Sequence, residues 1–283
     1  MVENRFIKIL QQADEKKIGV GAINIFNYIT ADAAVNAAEE IGVNIIIQTS
    51  AGTVEHYGAI KLYNMINDIR KGRNIEVALH LDHCRDMELG KLCVDVGWDS
   101  IMMDFSHLPF EENVSATREM AIYAHERGVA IEGEIGVVAG VEEDIVADEA
   151  INANYEETIQ FIERTEIDAI APAIGTAHGV YKGVPELNFT LVEQLGKGNT
   201  PVVIHGGTGL SADVFRKLIE LGGRKINIST LVKNAYMKKI MQLVKNENIN
   251  SPISFDKEVS KAVSEAIRGH LEVFSGMKHD FGV

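Results

Sequence analysis

Short apolar runs alternate with longer amphipathic stretches along almost the whole chain. The short runs are rich in Val, Ile and Ala, as is typical of buried parallel strands. They predict strands over residues 19–24, 44–48, 75–81, 100–104, 130–135, 169–172, 201–204 and 225–228. Apolar residues at helical spacing predict helices over residues 30–41, 87–96, 110–127, 156–164, 211–221 and, near the C-terminus, 255–274.

The repeated strand–helix order predicts the α/β class and, within it, a (β/α)8 TIM barrel with a C-terminal helical extension. A doubly wound open sheet shows the same alternation and remains an alternative on the pattern alone. The chain has 283 residues and contains no Pro- or Ser-rich linker. Because one barrel typically needs about 250 residues, we predict a single domain over residues 1–283.

One predicted connection, over residues 136–154, is much longer than the others. It contains several glycines followed by a run of acidic residues that includes Glu142. Loops of this length in a compact domain are usually lids or disordered segments. We therefore expect this connection to act as a lid over a site.

The negative net charge of the chain limits the kinds of molecule that it can bind. Its formal net charge is −14 at pH 7, which argues against nucleic acid and anionic membranes. Apolar runs are too short to span a bilayer, the N-terminus lacks the apolar core of a signal peptide, and two cysteines do not make a disulfide framework. These features predict a cytoplasmic protein that recognises any anionic ligand through local groups.

Polar residues collect at the carboxyl ends of the predicted strands, where barrel enzymes carry their active sites. Asp82 and His83 end the third strand and Glu134 ends the fifth, while His178 and His205 follow the sixth and seventh. Three imidazoles leave a zinc ion an open position for substrate oxygens. Strict strand alternation would separate Asp82 from His83, so we expect the chain to turn there. The pattern indicates a catalytic metal site.

Two further features lie near these strand ends. Glycine-rich residues 206–209 and the segment 227–230 follow the last two strands, where barrels often bind phosphate through backbone N–H groups at helix N-termini. His80 shares a strand face with Asp82. It either supports Asp82 or packs in the core, and the sequence leaves both roles open.

Five sequence motifs resemble those of class II ketose-bisphosphate aldolases, and they occur in the same order along nearly the whole chain. They are Leu-His-Leu-Asp-His (79–83), Glu-Gly-Glu-Ile-Gly (132–136), Ile-Gly-Thr-Ala-His-Gly-Val-Tyr-Lys-Gly (174–183), Val-Ile-His-Gly-Gly-Thr-Gly (203–209) and Ile-Asn-Ile-Ser-Thr (226–230). The resemblance implies reversible aldol cleavage of fructose or tagatose 1,6-bisphosphate to dihydroxyacetone phosphate and an aldehyde such as glyceraldehyde 3-phosphate.

The resemblance also implies the roles of particular residues. It places a zinc ion on His83, His178 and His205, with Glu134 as a nearby or alternative ligand. Asp82 would be the acid/base at the C4 oxygen. Glu142 would move the proton on the carbon of dihydroxyacetone phosphate, with its neighbour Glu143 as the alternative.

Binding of the sugar phosphate follows from the same resemblance. The phosphate would lie on Gly179, Lys182, Gly206, Gly207, Asn227 and Thr230, and Asn24 and Ser50 would line the cavity. A sodium or potassium ion held by backbone carbonyls would lie nearby. The resemblance further implies a homodimer or a homotetramer.

Other functions are weighed against specific residues. A Schiff-base aldolase needs a lysine at a strand end, and Lys225 begins its predicted strand. A metallohydrolase barrel would show two histidines two positions apart on an early strand, whereas His80 and His83 are three apart. A non-catalytic sugar-phosphate-binding barrel could lack Asp82 or a ligand histidine, and here all are present.

The distal end of the substrate is the point at which the sequence departs from part of the family. Members that cleave fructose bisphosphate commonly carry an arginine in the C-terminal helix, and Ser260 occupies that position here. A serine cannot make the bidentate contact that a guanidinium makes with phosphate. The departure keeps open an aldolase that acts on another ketose 1-phosphate, without the distal phosphate.

Overall fold

The structure is a computed structural model that describes residues 4–137, 139–142, 145–147, 151–178, 185–245 and 251–279. Within these residues, eight parallel strands close a barrel in the order β1–β2–β3–β4–β5–β8–β10–β11. The barrel strands are β1 (Val20–Asn24), β2 (Ile45–Ser50), β3 (Val77–Cys84), β4 (Ser100–Met103), β5 (Ala130–Ile135), β8 (Ala169–Pro172), β10 (Val202–Ile204) and β11 (Gly223–Ile228). The remaining strands are β6 (Ala139–Glu142), β7 (Ile145–Ala147) and β9 (Ala177–His178).

Helices surround the barrel and close one of its ends. They are α1 (Arg5–Lys16), α2 (Tyr28–Ile41), α3 (Ala51–Tyr57), α4 (Ala59–Arg70), α5 (Met87–Val96), α6 (Phe110–His125), α7 (Tyr155–Thr165), α8 (Phe189–Leu195), α9 (Ala212–Glu220), α10 (Thr230–Val244) and α11 (Pro252–Phe274). Among the described helices, none has the length and apolar content that a bilayer crossing requires.

The predicted barrel is confirmed, and the open sheet is excluded by the pairing of the first strand with the last. Val20 of β1 lies in register with Lys225 of β11, and both strands run parallel. The predicted C-terminal extension is α11, which packs on α2. The pattern missed α1, α3, α4, α8 and α10. The prediction of one domain over the whole chain stays a prediction.

The start of α2 shows how local sequence sets an element boundary beside the barrel mouth. The Asn27 side chain accepts a hydrogen bond from the Thr30 N–H at 3.0 Å, and the Thr30 hydroxyl accepts one from the Asn27 N–H at 3.1 Å. This capping box satisfies two N–H groups that a helix start leaves without partners. Gly42 ends α2 in the left-handed conformation, with φ 71°.

Two buried apolar clusters hold the barrel together. The larger one fills the layer between the strands and the outer helices. The smaller one fills the barrel interior, and it joins one face of α1 to alternate strand residues. Its buried members are Phe6, Ile9, Leu10, Ala13, Val20, Ala22, Ile46, Ala78, Ala130, Ala169, Ala171 and Val203.

Helix α1 covers the end of the barrel at which the strands begin. The Asn4 side chain donates hydrogen bonds to the carbonyl oxygens of Asp99, at 2.7 Å, and Gly128, at 2.9 Å. These residues precede β4 and β5, respectively. The apolar face of α1 therefore closes the interior from below and leaves the carboxyl ends of the strands as the open mouth.

The long connection over residues 136–154 contains regular structure, so a description of it as a loop alone is wrong. Strand β6 pairs antiparallel with β7 and parallel with β9, and Gly140 lies in register with His178. Gly136, at φ 77°, lies three residues before the start of β6. A Cβ atom there would lie 2.5 Å from the carbonyl oxygen of Ile151, a distance that excludes any side chain.

Candidate active site

Buried polar side chains fill the half of the barrel interior above the small apolar cluster. They come from seven of the described barrel strands or the residues that immediately follow them. This set comprises Asn24, Gln48, His80, Asp82, His83, Ser100, Asp104, Glu132, Glu134, His205, Lys225 and Asn227. Burial makes each of these groups dependent on a partner, because an unsatisfied buried polar group costs about 1–3 kcal/mol.

The backbone of β3 breaks its alternation at His83. Its pairing with β4 shifts register between Leu81 and Cys84, and His83 has a φ of 46°. A non-glycine residue in the left-handed region carries a conformational cost, and such residues concentrate at functional sites. The expected turn is therefore present, and it lets Asp82 and His83 contribute to one cluster.

Asp82, His83 and His205 form that cluster. The facing nitrogens, Nε2 of His83 and Nδ1 of His205, lie 2.8 Å apart, and the two rings meet edge to face. One ligand atom from each of the three residues lies within 4.8 Å of the others, and all three residues are buried. The structure thus brings together three of the residues selected from the strand ends.

The surroundings of the two rings are compatible with a cation between them. Nε2 of His205 lies 2.9 Å from Glu132 Oε1, and a carboxylate accepts a hydrogen bond, so this nitrogen carries the proton. Nδ1 of His83 faces the carboxylates of Asp104, at 3.7 Å, and Glu134, at 3.6 Å. When both rings are neutral, Nε2 of His83 and Nδ1 of His205 can each offer a lone pair to one cation. Imidazole nitrogens and a carboxylate are ordinary zinc ligands, so the donor set fits that ion.

Burial favours the neutral form of His205. It lowers the pKa of His205 below its ordinary value, and nearby His83 lowers the pKa further, while the hydrogen bond to Glu132 opposes both effects. A metal-binding histidine must be neutral, so this direction favours metal binding.

The carboxylates beside His83 differ in their surroundings. Burial would raise the pKa of Asp104, but His83, Ser106 and Arg85 outweigh it and hold the pKa below the ordinary range. The pKa of Glu134 is shifted in the opposite direction, because burial and the Asp104 charge raise it well above the ordinary value. Oε2 of Glu134 is buried without a hydrogen-bond partner among the described residues. A cation in this region would satisfy that oxygen.

Asp82 is held by two side-chain amides. Asn24 Nδ2 donates to one carboxylate oxygen at 2.9 Å, and Asn227 Nδ2 donates to the other at 3.1 Å. Each amide oxygen accepts a hydrogen bond from a further buried donor. Gln48 Nε2 donates to Asn24 at 2.7 Å, and Lys225 Nζ donates to Asn227 at 2.8 Å. These donors fix which way each amide points, so both Asp82 oxygens are oriented.

Glu132 connects His205 to the interior below it. One oxygen accepts from His205, and the other lies 2.9 Å from Lys225 Nζ. Burial would raise the pKa of Glu132, but the Lys225 ammonium and the hydrogen bond from His205 hold it well below the ordinary value. His80 Nε2 lies 3.6 Å from Glu132, and its Nδ1 lies 2.7 Å from the hydroxyl of Ser100. Within the described residues, His80 therefore interacts with Glu132 rather than with Asp82.

The residues expected to bind phosphate follow the last two barrel strands. Gly206 has a φ of 68°, and a Cβ atom there would lie 2.7 Å from the carbonyl oxygen of Ala177, so only glycine lets this turn approach β9. Gly207 is buried against the ring of Phe215. Thr230 is half-buried at the first position of α10. Their contact with phosphate stays a prediction.

Ser50 lies at the end of β2, in register with Asp82 of β3. Its hydroxyl accepts a hydrogen bond from the N–H of Thr53 at 3.2 Å and caps α3. The position at the barrel mouth agrees with a residue that lines a cavity. The hydroxyl is engaged with the helix cap, however, and its contact with a substrate stays a prediction.

Four of the expected site residues fall partly or wholly outside the described part. Gly179 and Lys182 lie outside the described residues. The backbones of Glu142 and His178 are described, in β6 and β9, but their side chains are not. Because β6 pairs with β9, the backbone carrying Glu142 runs beside the backbone carrying His178.

Sequence reasoning missed Gln48, Asp104, Glu132 and Lys225 as members of the site. Three of them, Gln48, Glu132 and Lys225, share one signal, a polar residue within a strand directly beside an isoleucine. Glu132 lies two positions before Glu134, and Lys225 lies two before Asn227, so each pair shares a strand face. That spacing alone could have predicted that these side chains face the barrel interior.

Comparison with known proteins agrees with the geometry of the site. The model of the family described as "Fructose-bisphosphate aldolase class-II" matches residues 4–279. Fructose-bisphosphate aldolases from Staphylococcus aureus (strain Mu50 / ATCC 700699) and Geobacillus stearothermophilus are each 37% identical over 272 residues, which cover 94% of this chain and 95% of each relative.

Solved structures give the same result. A candidate fructose-1,6-bisphosphate aldolase from Coccidioides immitis superimposes with a TM-score of 0.88 at 29% identity, and 97% of each chain is covered. The YdjI aldolase from Escherichia coli K12 superimposes with a TM-score of 0.84 at 29% identity, over 95% of this chain and 96% of that one. The barrel, the buried cluster at its mouth and these matches lead to one conclusion. This chain belongs to the class II fructose-bisphosphate aldolase family.

Proposed function

We propose that the protein catalyses the zinc-dependent, reversible aldol cleavage of a ketose 1,6-bisphosphate, either fructose or tagatose, to dihydroxyacetone phosphate and an aldehyde such as glyceraldehyde 3-phosphate. The observation that carries this proposal is the buried cluster of Asp82, His83 and His205 at the barrel mouth of a class II aldolase. It combines candidate metal ligands with a carboxylate that can act as a base.

His83, His178 and His205 hold the metal in this proposal, with Glu134 as a nearby or alternative ligand. A bound zinc ion supplies Lewis acidity to the oxygens on C2 and C3 of the ketose, which stabilises the charge that cleavage leaves on the three-carbon fragment. The chain supplies the neutral imidazoles that this ion requires. His205 is oriented by Glu132, and His83 is oriented by the carboxylates beside its Nδ1.

Proton transfer belongs to two carboxylates. Asp82 accepts the proton of the C4 hydroxyl while the C3–C4 bond breaks, the C4 carbonyl forms, and the electron pair of the broken bond stays with C3. Its two amide donors, Asn24 and Asn227, hold the carboxylate in place for this transfer. Glu142, on the connection that acts as a lid, then delivers a proton to C3 of the three-carbon fragment.

The remaining proposed contacts bind and enclose the substrate. Ser50 and Asn24 line the cavity, and a sodium or potassium ion is held by backbone carbonyls near the phosphate. The protein acts in the cytoplasm as a homodimer or homotetramer. The phosphate of the dihydroxyacetone fragment binds to Gly179, Lys182, Gly206, Gly207, Asn227 and Thr230.

A cleavage assay on chelated and restored protein tests this proposal. Purified protein is exhaustively chelated, its metal content is measured, and cleavage of fructose and tagatose 1,6-bisphosphate is followed before and after zinc is added. We expect the metal-free protein to be inactive, and zinc to restore cleavage of at least one substrate. Full activity with the metal verified absent would overturn the zinc assignment.

The position of Ser260 favours a second candidate substrate, a ketose 1-phosphate without a distal phosphate. Ser260 lies in a surface groove between α2 and α11, where Lys257 and Lys261 are its basic neighbours on the same helix. A lysine ammonium is a point charge and cannot replace the planar fork of an arginine. Dependence on the distal phosphate should therefore be loose.

Catalytic efficiency on three substrates decides between these candidates. They are fructose 1,6-bisphosphate, tagatose 1,6-bisphosphate and fructose 1-phosphate. We expect the three values of kcat/KM to lie within about a hundredfold of each other, which corresponds to about 3 kcal/mol. A preference of about a thousandfold for fructose 1,6-bisphosphate over both others would contradict the role given to Ser260.

A further inference from the structure

We propose that Lys225 is a positioning residue that orients both halves of the candidate site, Asp82 through Asn227 and His205 through Glu132. This inference rests on the roles proposed for Asp82 and His205. It adds a residue that contacts neither the substrate nor the metal. Lys225 instead determines where the groups that do so are held.

Lys225 is enclosed in the middle of the barrel. Its side chain is 0% exposed, and its ammonium lies 2.9 Å from Glu132 Oε2 and 2.8 Å from Asn227 Oδ1. Removing one partner of a buried ion pair is strongly destabilising, because the remaining charge is left uncompensated. An ammonium at this depth therefore holds its two acceptors within hydrogen-bonding distance.

The first branch of the proposal fixes the base. An amide side chain can turn over, which exchanges its oxygen for its nitrogen. Because Lys225 is a donor only, the oxygen of Asn227 must face it. The nitrogen of Asn227 is thereby directed to Asp82 Oδ1 at 3.1 Å. Asp82, which only accepts hydrogen bonds, favours the same orientation, so the ammonium and the carboxylate fix the amide from its two ends.

The second branch fixes a metal ligand. The Lys225 ammonium holds one oxygen of Glu132, and the other oxygen accepts the proton of His205 Nε2 at 2.9 Å. This hydrogen bond selects the tautomer of His205 that presents Nδ1 to His83. Carboxylate partners of this kind typically change metal affinity or activity by 10- to 100-fold when they are removed.

A purely structural role for Lys225 predicts a different result for the variants. A buried ion pair is often replaced by uncharged residues of similar volume with little loss of stability, or even a gain. If Lys225 served only to neutralise Glu132, then removing both charges would restore the protein fully, because the amide oxygen in Glu132→Gln can still accept the hydrogen bond from His205. If it orients the site, removing both charges would restore the fold and leave the site misaligned.

Two variants and one control separate these roles. Lys225→Met removes the ammonium, and the double variant Lys225→Met/Glu132→Gln removes both charges. Arg224→Met is the matched control, because Arg224 is the preceding residue of the same strand, is also buried, and pairs with Asp14 at 2.8 Å away from the site. For each protein, kcat, KM, the thermal midpoint and the zinc dissociation constant are measured, the last by competition with a chromophoric chelator.

We expect kcat to fall by about 10- to 100-fold in Lys225→Met, and zinc to bind about 10- to 100-fold more weakly. The double variant should recover a thermal midpoint near that of the wild type, so it remains informative even if the single variant does not fold. Its kcat and zinc affinity should stay low. Arg224→Met should keep the wild-type kcat and zinc affinity, whatever its stability.

The proposal is overturned if the double variant regains wild-type kcat and zinc affinity, because Lys225 would then only balance a charge. It is equally overturned if folded Lys225→Met is unchanged in both quantities. Asp82→Ala, measured in the same assay, distinguishes a failure of this proposal from a failure of the proposed function. Wild-type turnover in Asp82→Ala would contradict the proposed role of Asp82. Slow turnover in Asp82→Ala, together with wild-type kcat and zinc affinity in Lys225→Met, would contradict only the role proposed for Lys225.

Discussion

The two halves of the barrel interior are built from the same strands but follow different rules. The lower half consists of Ala, Val and Ile side chains that pack against the apolar face of α1. The upper half consists of carboxylates, amides, imidazoles and one ammonium, each of which contacts another. Two steps along a strand suffice to pass from one half to the other, as from Ala22 to Asn24 or from Ala130 to Glu132.

This difference separates stability from chemistry. Apolar packing in the lower half contributes about 25 cal/mol for each Å² removed from water and has no directional requirement. The upper half gains little net stability from its hydrogen bonds, but each bond restricts where a functional group points. We therefore expect changes in the upper half to alter catalysis and changes in the lower half to alter the free energy of unfolding.

The largest expected effect is the loss of a metal ligand. His83→Ala should lower kcat/KM by at least about 10³-fold, because a Lewis acid contributes several kcal/mol to the transition state. It should also reduce the zinc content measured on the purified protein. His107→Ala, which changes an exposed histidine, is the control and should retain both zinc and activity. Wild-type zinc content in His83→Ala would remove His83 from the ligand set.

The next effect concerns the base. Asp82→Ala should lower kcat by about 10²–10⁴-fold, the usual range for a positioned acid or base, while the bound zinc is retained. Asp213→Asn, an exposed change on α9, provides the comparison and should behave like the wild type. An unaltered turnover number in Asp82→Ala would show that another group accepts the C4 proton.

A smaller effect is expected at Glu142. Glu142→Gln should slow the exchange of solvent hydrogen into dihydroxyacetone phosphate by about 10²-fold, at the lower end of the range for acid–base groups. The KM for the ketose should change much less. Glu143→Gln tests the neighbouring carboxylate in the same exchange experiment. If Glu143→Gln is the slower variant, the proton carrier is Glu143.

The smallest effect on catalysis is expected in the lower half. Leu10→Ala removes a buried side chain from the face of α1 and should reduce the free energy of unfolding by about 2–5 kcal/mol. Where the variant is folded, kcat should equal that of the wild type. Denaturant unfolding combined with kinetics at low temperature checks both quantities. A large loss of kcat in folded Leu10→Ala would show that the two halves are coupled.

Sequence analysis could predict the barrel because the pattern that marks each strand is local in the sequence. Each strand is a short apolar run, and all eight predicted strands match the barrel strands to within three residues at either end. The ends of parallel strands meet at one mouth, so the placement of Asp82 and His205 followed from topology alone. Their meeting with His83 required only a turn in the chain.

The parts that escaped prediction depend on neighbours distant in sequence. The ion pair between Glu132 and Lys225 joins strands that are not adjacent in the barrel, so spacing within either strand does not reveal it. The left-handed conformation of His83 is set by the register shift against β4. Helix α1 has ordinary amphipathic spacing, and its role in closing the barrel appears only when its face meets Val20, Ala22 and the other interior residues.

The central claim is that a metal ion binds between His83 and His205 at the barrel mouth. A crystal structure of the zinc-loaded protein, with anomalous data collected on both sides of the zinc absorption edge, tests it directly. We expect one strong anomalous peak at about 2.0–2.1 Å from Nε2 of His83 and from Nδ1 of His205, the usual zinc–nitrogen distance. A peak located elsewhere, or zinc-dependent activity in protein that shows no peak between these two nitrogens, would contradict the claim.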